Sequence, residues 1–237
     1  MRIEYGQNYN TLYNQHWWWR AREHAVLSEI SQLNLKPKSE ILDFGCGNAL
    51  FFPKLSQFGS VVGIETDASL LTETPYRSQI YTSPIESQEY ANLRFDLIVS
   101  LDVLEHIEND RAALLALSRL LKPRGVILLT APSSMKLWDE HDEQNLHFRR
   151  YTEQSFLKIV PNNLEVLKIR SFNHWTYIPK RLVSLINKNR KKKFNQATIP
   201  PEWLNRGLIN ISKIDYHIGS LIQIPFGSSI LMILRAK

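Results

Sequence analysis

Short apolar runs alternating with segments of helical character constrain this chain more than any other feature of it. Residues 40–44, 61–65, 80–82, 95–100 and 126–131 have strand length, and residues 49–58, 68–73 and 104–121 between them read as helices. Runs that are apolar at nearly every position, rather than at every second one, belong to strands buried on both faces. That is the condition of a parallel sheet flanked by crossover helices. The expected class is therefore α/β, doubly wound. Ahead of the sheet, residues 17–35 place Trp18, Ala25, Leu27, Ile30 and Leu33 on an amphipathic helix. It should stop at Lys36-Pro37, because the residue before a proline is pushed out of helical geometry. Beyond Pro132 the pattern loosens into a segment rich in His, Asp and Arg. Residues 153–160 then read as a helix, 164–171 as a sixth strand and 229–234 as the last. Residues 172–221, between those two strands, hold two helices and read as a cap inserted before the final strand.

At 237 residues, 43% of them hydrophobic and 22% charged, the chain can bury roughly 70% of the surface it exposes unfolded. Global disorder is excluded. The one cysteine, Cys46, allows no internal disulfide and no Cys-rich zinc site. The polar start MRIEYGQNYN lacks the apolar run of a signal peptide, and no stretch reaches the roughly 18 to 20 apolar residues of a spanning helix. A cytoplasmic location is expected. The net charge of +6 is concentrated, since Lys180, Arg181, Lys188, Arg190, Lys191, Lys192 and Lys193 gather in the cap segment. A basic amphipathic helix there, with Ile178, Leu182, Leu185 and Ile186 on one face, suits peripheral contact with an anionic membrane surface or a lipid-linked ligand. A packed cap with a solvated lysine tail is the alternative. Nucleic acid is disfavoured, because no aromatic residues interleave the basic patch.

The turn after the first strand reads Asp43-Phe44-Gly45-Cys46-Gly47-Asn48-Ala49, and the second strand ends Gly63-Ile64-Glu65. Two glycines at that turn let the backbone approach a ligand closely at the carboxyl edge of the sheet, near the start of the following helix. A plain strand-to-helix turn would use the same residues. Glu65 is placed to accept hydrogen bonds from ribose hydroxyls. Charge then separates two adenosine ligands. A dinucleotide brings a pyrophosphate, which wants a helix N-terminus free of carboxylates, whereas S-adenosylmethionine brings an ammonium and a sulfonium. Asp43, two residues before Gly45, repels the first and suits the second. Ala49 stands where a full dinucleotide fingerprint has its third glycine.

These residues, together with Phe95-Asp96-Leu97-Ile98-Val99, Leu101-Asp102-Val103-Leu104-Glu105-His106 and Leu121-Lys122-Pro123-Arg124-Gly125, resemble the class I S-adenosylmethionine-dependent methyltransferases over residues 39–131. The chain is similar in particular to the branch that contains the ubiquinone-pathway O-methyltransferases. The resemblance implies a mostly parallel, seven-stranded, Rossmann-like sheet in a single domain, 1–237. That domain would comprise an N-terminal helix over 15–36, a cofactor-binding core over 37–171, a helical cap over 172–221 and a last strand over 228–235. It implies that Asp43, Gly45 and Gly47 hold the methionine part of the cofactor and that Glu65 binds its ribose, with Cys46 and Thr66 also in the cofactor site. Ser83, Pro84 and Ile85 would flank the adenine, with Leu101 and Asp102 completing the pocket. Arg22, in His16-Trp17-Trp18-Trp19-Arg20-Ala21-Arg22, would pair with the cofactor carboxylate. The three tryptophans would either lie across the cofactor site or pack their helix onto the sheet.

Methyl transfer needs donor and acceptor aligned and water excluded, and a hydroxyl acceptor also needs a base, for which histidine is suited. His106 and His141 are the candidates. His106 closes Asp102-x-x-Glu105-His106, which resembles the acidic-x-x-Glu-His metal-binding set of the ubiquinone-pathway enzymes, with Asp in place of the usual Glu at 102. No metal is assigned; Asp102, Glu105 and His106 would be the set to hold a divalent ion such as magnesium or manganese. His141 lies in Trp138-Asp139-Glu140-His141-Asp142, followed by His147, Arg149, Arg150 and Tyr151. That cluster resembles a His-x-Arg-Arg-Tyr signature and offers guanidiniums to an anionic acceptor, or else forms a solvated loop of ion pairs. The expected function is methyl transfer from S-adenosylmethionine to an oxygen of a small or lipid-linked acceptor. A nicotinamide-dependent oxidoreductase and a non-catalytic cofactor-binding protein recruited to an anionic membrane stand as alternatives.

Overall fold

The computed structural model describes residues 3–71, 74–187 and 197–237. Seven strands form one sheet: β1 (Ser39–Phe44), β2 (Gly59–Ile64), β3 (Ile80–Tyr81), β4 (Phe95–Leu101), β5 (Leu121–Pro132), β6 (Leu164–Phe172) and β7 (Ser229–Ala236). Their order is β3-β2-β1-β4-β5-β7-β6. From β3 to β5 every neighbouring pair is parallel. β7 runs antiparallel to β5 on one side and to β6 on the other. The doubly wound, mostly parallel sheet is thus the observed one. Its direction of winding reverses between β1 and β4, and in open α/β sheets ligands bind in the crevice at the carboxyl ends of the strands at such a switch point.

The helices are α1 (Ile3–Gln15), α2 (Trp17–Ile30), α3 (Phe52–Leu55), α4 (Asp110–Arg119), α5 (Glu140–Gln144), α6 (Glu153–Lys158), α7 (His174–Asn187) and α8 (Glu202–Leu221). They cover both faces of the sheet. On one face Leu42, Ile98, Ile127 and Leu129 meet Ala113, Leu114 and Leu117 of α4. On the other, Ile41, Leu97, Val99 and Leu128 meet Ala25, Val26 and Ile30 of α2, Phe52 of α3 and Tyr216 of α8. Side chains buried on both sides of the same strands explain the unbroken apolar runs in the sequence.

Several helices are shorter than their sequence patterns suggest, for local reasons. α2 ends at Ile30, not at residue 35, and a second helix, α1, precedes it. The chain breaks between the two at His16, whose extended backbone lets Nδ1 accept the Trp18 amide at 3.1 Å. Residues 49–58 keep only α3, because Ala49 sits at φ +57 and Pro53 occupies the first turn. Residues 68–73 yield a 3-10 turn at Ala68–Leu70, capped by Asp67, with residues 72 and 73 outside the described residues. Residues 104–121 divide into a 3-10 turn at Leu104–His106 and α4, because the Asn109 side chain accepts the Ala112 amide and starts the helix there. Leu121 already opens β5, so that Lys122-Pro123-Arg124-Gly125 lies within that strand.

The cap between β6 and β7 consists of α7 and α8. A buried carboxylate, Glu29 of α2, fastens α8 down: it accepts from Tyr216 Oη at 2.5 Å and pairs with Lys168 Nζ at 2.6 Å. At its other end α8 is held to the junction of α1 and α2 by Asn205, which takes the Trp17 amide at 2.9 Å and donates to the Gln15 carbonyl at 2.7 Å. The Asp215 carboxylate caps α7 by accepting the His174 and Trp175 amides at 3.0 and 3.1 Å. The outward face of α7 is bare, with Ile178 59%, Leu182 55%, Leu185 51% and Ile186 72% exposed. The basic residues Lys188, Arg190, Lys191, Lys192 and Lys193 lie outside the described residues. Among those that are described, no helix is long and apolar enough to cross a membrane.

Candidate active site

Parallel pairing of β1 with β2 brings Asp43 level with Gly63 and delivers the glycine loop and Glu65 to one edge of the sheet. The two loop glycines serve different ends. Gly45 has φ +75, and a Cβ there would stand 2.4 Å from Val103 Cγ2, so the loop can pass Val103 only without a side chain. Gly47 has φ +51, and a Cβ there would meet nothing within 4 Å: its backbone faces open space, as a ligand cradle requires. Glu65 holds this loop, its Oε2 accepting the Gly47 amide at 3.0 Å and its Oε1 the Asp67 amide at 2.9 Å. Burial raises the Glu65 pKa, and the two amides oppose the rise. Both oxygens expected to meet ribose are therefore already organising the cradle. Thr66 beside it is exposed. Cys46 packs back against the sheet, its sulfur 2.5 Å from where a Cβ on Gly63 would stand. Burial and then the Asp43 carboxyl push its thiol far above the usual range.

Asp43 is only 4% exposed. Burial pushes its carboxyl up to about 7, Arg22 opposing and Glu65 adding to the shift. After β3, Tyr90 Oη donates to the Ser83 carbonyl at 2.7 Å, Pro84 is exposed and Ile85 is buried in the core. Of the three residues expected to flank adenine, Ile85 is thus committed to packing. Leu101 is half-buried at the end of β4.

Helix α2 crosses above this edge. Its Arg22, 6% exposed, forms an ion pair with Asp102 Oδ2 and lies 5.1 Å from the Trp18 ring. Burial alone would lower the Arg22 pKa, but the Asp102 carboxylate outweighs it and holds the guanidinium above its ordinary range. The tryptophans divide the two roles considered for them. Trp19 is buried against Tyr9 and His16, Trp17 meets Trp175 of the cap, and Trp18 alone accompanies Arg22 at the site.

Asp102 itself has φ +57; its amide donates to the Thr130 carbonyl at 3.0 Å and its Oδ1 accepts from Thr130 Oγ1 at 3.2 Å. With one oxygen on Thr130 and the other on Arg22, Asp102 does not complete the set Asp102, Glu105 and His106 suggested by the motif. His147 takes that place: ligand atoms of Glu105, His106 and His147 lie within 4.8 Å of one another. The His106 and His147 rings meet edge to face at 4.5 Å. Burial and then His147 push His106 down to about 4, so it is neutral and a weak base. Glu105 is 1% exposed, and neither of its oxygens has a hydrogen-bond partner among the described residues. Burial, and then the charge of Asp102, raise its pKa well above the usual range.

The cluster after β5 is neither a solvated loop nor a pair of free guanidiniums. Asp139 and Asp142 close a reciprocal cap that starts α5, a helix the periodicity does not reveal. Asp142, fully buried, accepts His147 Nδ1 and Arg150 Nε on one oxygen, both at 2.8 Å, and Arg150 Nη2 at 2.7 Å on the other. Burial opposes ionisation, yet the bonds from His147 and Arg150 hold its carboxyl well below the usual range. Arg149 pairs with Asp110 at 2.7 Å, and Tyr151 Oη donates to the same aspartate at 2.7 Å. Both arginines offered to an anionic acceptor are thus taken up internally. His141 stands outside the cluster, its ring 6.2 Å from that of His147 and its Nδ1 3.2 Å from Asn145 Nδ2.

A Rossmann-like sheet with an acidic residue before a glycine cradle and an acid ending the second strand defines a nucleoside-binding α/β enzyme of the methyltransferase type. Residues 18–190 match the family model described as a methyltransferase domain, and the chain belongs to that family, among the class I S-adenosylmethionine-dependent methyltransferases. A ubiquinone biosynthesis O-methyltransferase from Rickettsia bellii (strain OSU 85-389) is 29% identical over 141 residues, 51% of this chain and 58% of that protein. The chain therefore matches a little over half the length of this curated relative. Two solved structures share the fold. An S-adenosylmethionine-dependent methyltransferase from Clostridium acetobutylicum superimposes with a TM-score of 0.55 at 16% identity, covering 90% of each chain. One from Archaeoglobus fulgidus gives 0.55 at 16% identity, covering 92% of this chain and 94% of that one. S-adenosylmethionine is the cofactor this family implies. The open space before Gly47 and the buried Asp43 carboxyl next to Arg22 fit its zwitterionic methionine part.

Proposed function

We propose that this protein transfers a methyl group from S-adenosylmethionine to an oxygen of a lipid-linked acceptor presented at an anionic membrane surface. The bare apolar face of α7 carries the proposal. That helix is tied to the catalytic edge, because Arg181 Nη1 donates to the Lys136 carbonyl at 3.1 Å and Ser184 Oγ to the same carbonyl at 3.3 Å, in the segment that follows β5. Ile178, Leu182, Leu185 and Ile186 are exposed beside that edge, with Lys180 exposed on the same helix and Arg181 turned inward to the Lys136 carbonyl. Apolar residues flanked by cations suit a helix lying in the headgroup layer of an anionic bilayer. The net charge of +6 favours the same partner. The relative from Rickettsia bellii, named as a ubiquinone biosynthesis O-methyltransferase, supports oxygen as the target.

The cofactor supplies a methyl group on a cationic sulfur. Asp43, ionised, would hold the ammonium of its methionine part, Arg22 would hold the carboxylate while keeping its pair with Asp102, and the Gly47 backbone would give the chain room to pass. An acceptor hydroxyl would attack the methyl carbon as the carbon–sulfur bond broke, the electron pair of that bond staying on sulfur and the hydroxyl proton passing to the neutral His106 imidazole or to solvent. The positive charge on sulfur is lost, so alignment and exclusion of water carry most of the acceleration.

The test is flotation with vesicles containing phosphatidylserine in phosphatidylcholine, against phosphatidylcholine alone. The double variant Leu182→Asp/Ile186→Asp changes only exposed positions. Each apolar side chain is worth about 1.5 to 3 kcal/mol on burial, so the wild type should float with the anionic vesicles and the variant lose at least tenfold in partitioning, both binding S-adenosylhomocysteine alike. Equal flotation of the two would refute the surface. Labelled methyl groups recovered in water-soluble products, after incubation with a whole-cell extract, would refute the lipid-linked acceptor.

A further inference from the structure

We infer that Glu105, His106 and His147 form a binding site for a borderline divalent transition metal ion, with Asp142 as the group that orients His147. The inference does not depend on which acceptor the enzyme uses.

Glu105 is the starting point. A buried carboxyl with both oxygens unpartnered is costly in either protonation state: the anion lacks donors, and the acid would add a hydroxyl with no acceptor. A cation satisfies it. The groups closest to supplying the remaining ligands are two imidazoles. His147 donates from Nδ1 to Asp142 at 2.8 Å, which leaves Nε2 as its lone-pair nitrogen and fixes the ring. A carboxylate behind a ligating histidine is the usual outer support of a metal site. Asp142 is itself held by both arms of Arg150 and by the Asp139 amide at 2.9 Å, so the support is rigid. The three ligand atoms lie within 4.8 Å of one another. Around a bound ion with ligand bonds of about 2.0 to 2.2 Å they would stand about 3 to 3.5 Å apart, so binding would draw them together.

The donor set decides the class of ion. Two imidazoles and one carboxylate suit zinc, iron(II), cobalt(II) or manganese(II), whereas magnesium and calcium want oxygen ligands throughout. This set differs from the Asp102, Glu105 and His106 of the motif, because Asp102 is engaged by Arg22 and Thr130.

The experiment is titration of untagged, chelator-stripped protein with cobalt(II), read by visible absorption, with zinc competition followed by calorimetry. One ion per chain should bind with a micromolar or lower dissociation constant. Glu105→Gln and His147→Ala should each lose at least tenfold in affinity, and Asp142→Asn between about 10- and 100-fold. Asp102→Asn, which removes a nearby charge but no ligand, should lose less affinity than either Glu105→Gln or His147→Ala. Circular dichroism melts establish that each variant is folded; if His147→Ala is not, His147→Gln replaces it. Substoichiometric or unsaturable binding, or binding unaffected by Glu105→Gln and His147→Ala, would overturn the site. Binding lost in Asp102→Asn but kept in His147→Ala would place the ion on the motif's set instead.

Discussion

Replacing Asp43 by Asn should make the cofactor-free protein more stable and the cofactor bind worse, and the two effects should depend on pH in opposite ways. The Asp43 carboxyl is raised from 3.8 to about 7 in the folded chain, chiefly by burial. A folded-state value above the unfolded one means that the folded protein holds a proton that the unfolded chain gives up. The resulting penalty is absent below about pH 4, grows as pH rises and is complete above about pH 7. Three units at about 1.36 kcal/mol each amount to about 4 kcal/mol, of which about 3 kcal/mol develops between pH 5 and pH 8. Asn carries no such penalty. Urea denaturation of wild type and Asp43→Asn at pH 5, 6, 7 and 8 should therefore show a stability difference that shifts by about 3 kcal/mol in favour of the variant across that range. Any constant offset from the amide cancels in the comparison. Binding runs the other way, because the ammonium of S-adenosylhomocysteine selects the ionised carboxylate. Wild-type affinity should rise about tenfold per pH unit up to about 7 and then level off, whereas the variant should bind weakly with no such slope. Parallel stability curves for the two proteins, or a wild-type affinity independent of pH between 5 and 7, would show that Asp43 is not the buried charge at the cradle.

The loop glycines should separate by phenotype. Gly45→Ala forces a side chain into Val103 at a left-handed φ and should cost about 2 kcal/mol or more in denaturant stability. Gly47→Val should remain folded, at a cost of about 1 to 2 kcal/mol from its φ, while lowering S-adenosylhomocysteine affinity at least tenfold by calorimetry. Unchanged affinity would reduce the loop to a turn. Tyr216→Phe removes the hydroxyl that Glu29 accepts in the seam between α2 and α8. It should lower stability by about 1.5 to 3 kcal/mol, the range for a hydrogen bond to a charged group, with cofactor affinity unmoved. A loss of under 0.5 kcal/mol would mean that Lys168 and Arg170 satisfy Glu29 without it.

The parallel half of the sheet was legible because its strands are covered on both faces and so read as unbroken apolar runs. The cradle was legible because a turn that must pass Val103 and face open space needs glycine in both places. What escaped sequence reasoning depends on contacts between distant segments. Nothing local in Ser229–Ala236 says that it runs antiparallel. Asp102 sits in a motif with Glu105 and His106, yet Arg22 of α2 and Thr130 of β5 claim its oxygens. His147, which brings a ligand atom within 4.8 Å of Glu105 and His106, lies on another loop. One signal could have pointed to it: Asp139 and Asp142, three apart and both acidic, mark a helix start, and a histidine five residues beyond Asp142 falls within reach of that carboxylate. The arginines looked available because their partners, Asp110 and Asp142, are read in sequence as ordinary surface acids. α1 escaped because its residues carry little apolar periodicity.

The place of β7 in the sheet has a consequence for how the molecule assembles. β6 is synthesised well before β7 but pairs with no other strand, so it must wait, unmated, until both cap helices have been made. The wedge that finally joins it to β5 brings together residues as far apart in the chain as Val126 and Arg235. Pairings of such long sequence separation form slowly, and exposed strand edges invite association with other chains while they wait. The half of the sheet around the glycine cradle can close early from neighbouring segments, whereas the half beneath the cap depends on a late, distant strand. A newborn chain would thus shape the glycine cradle before it completes the part of the sheet that lies beneath the cap.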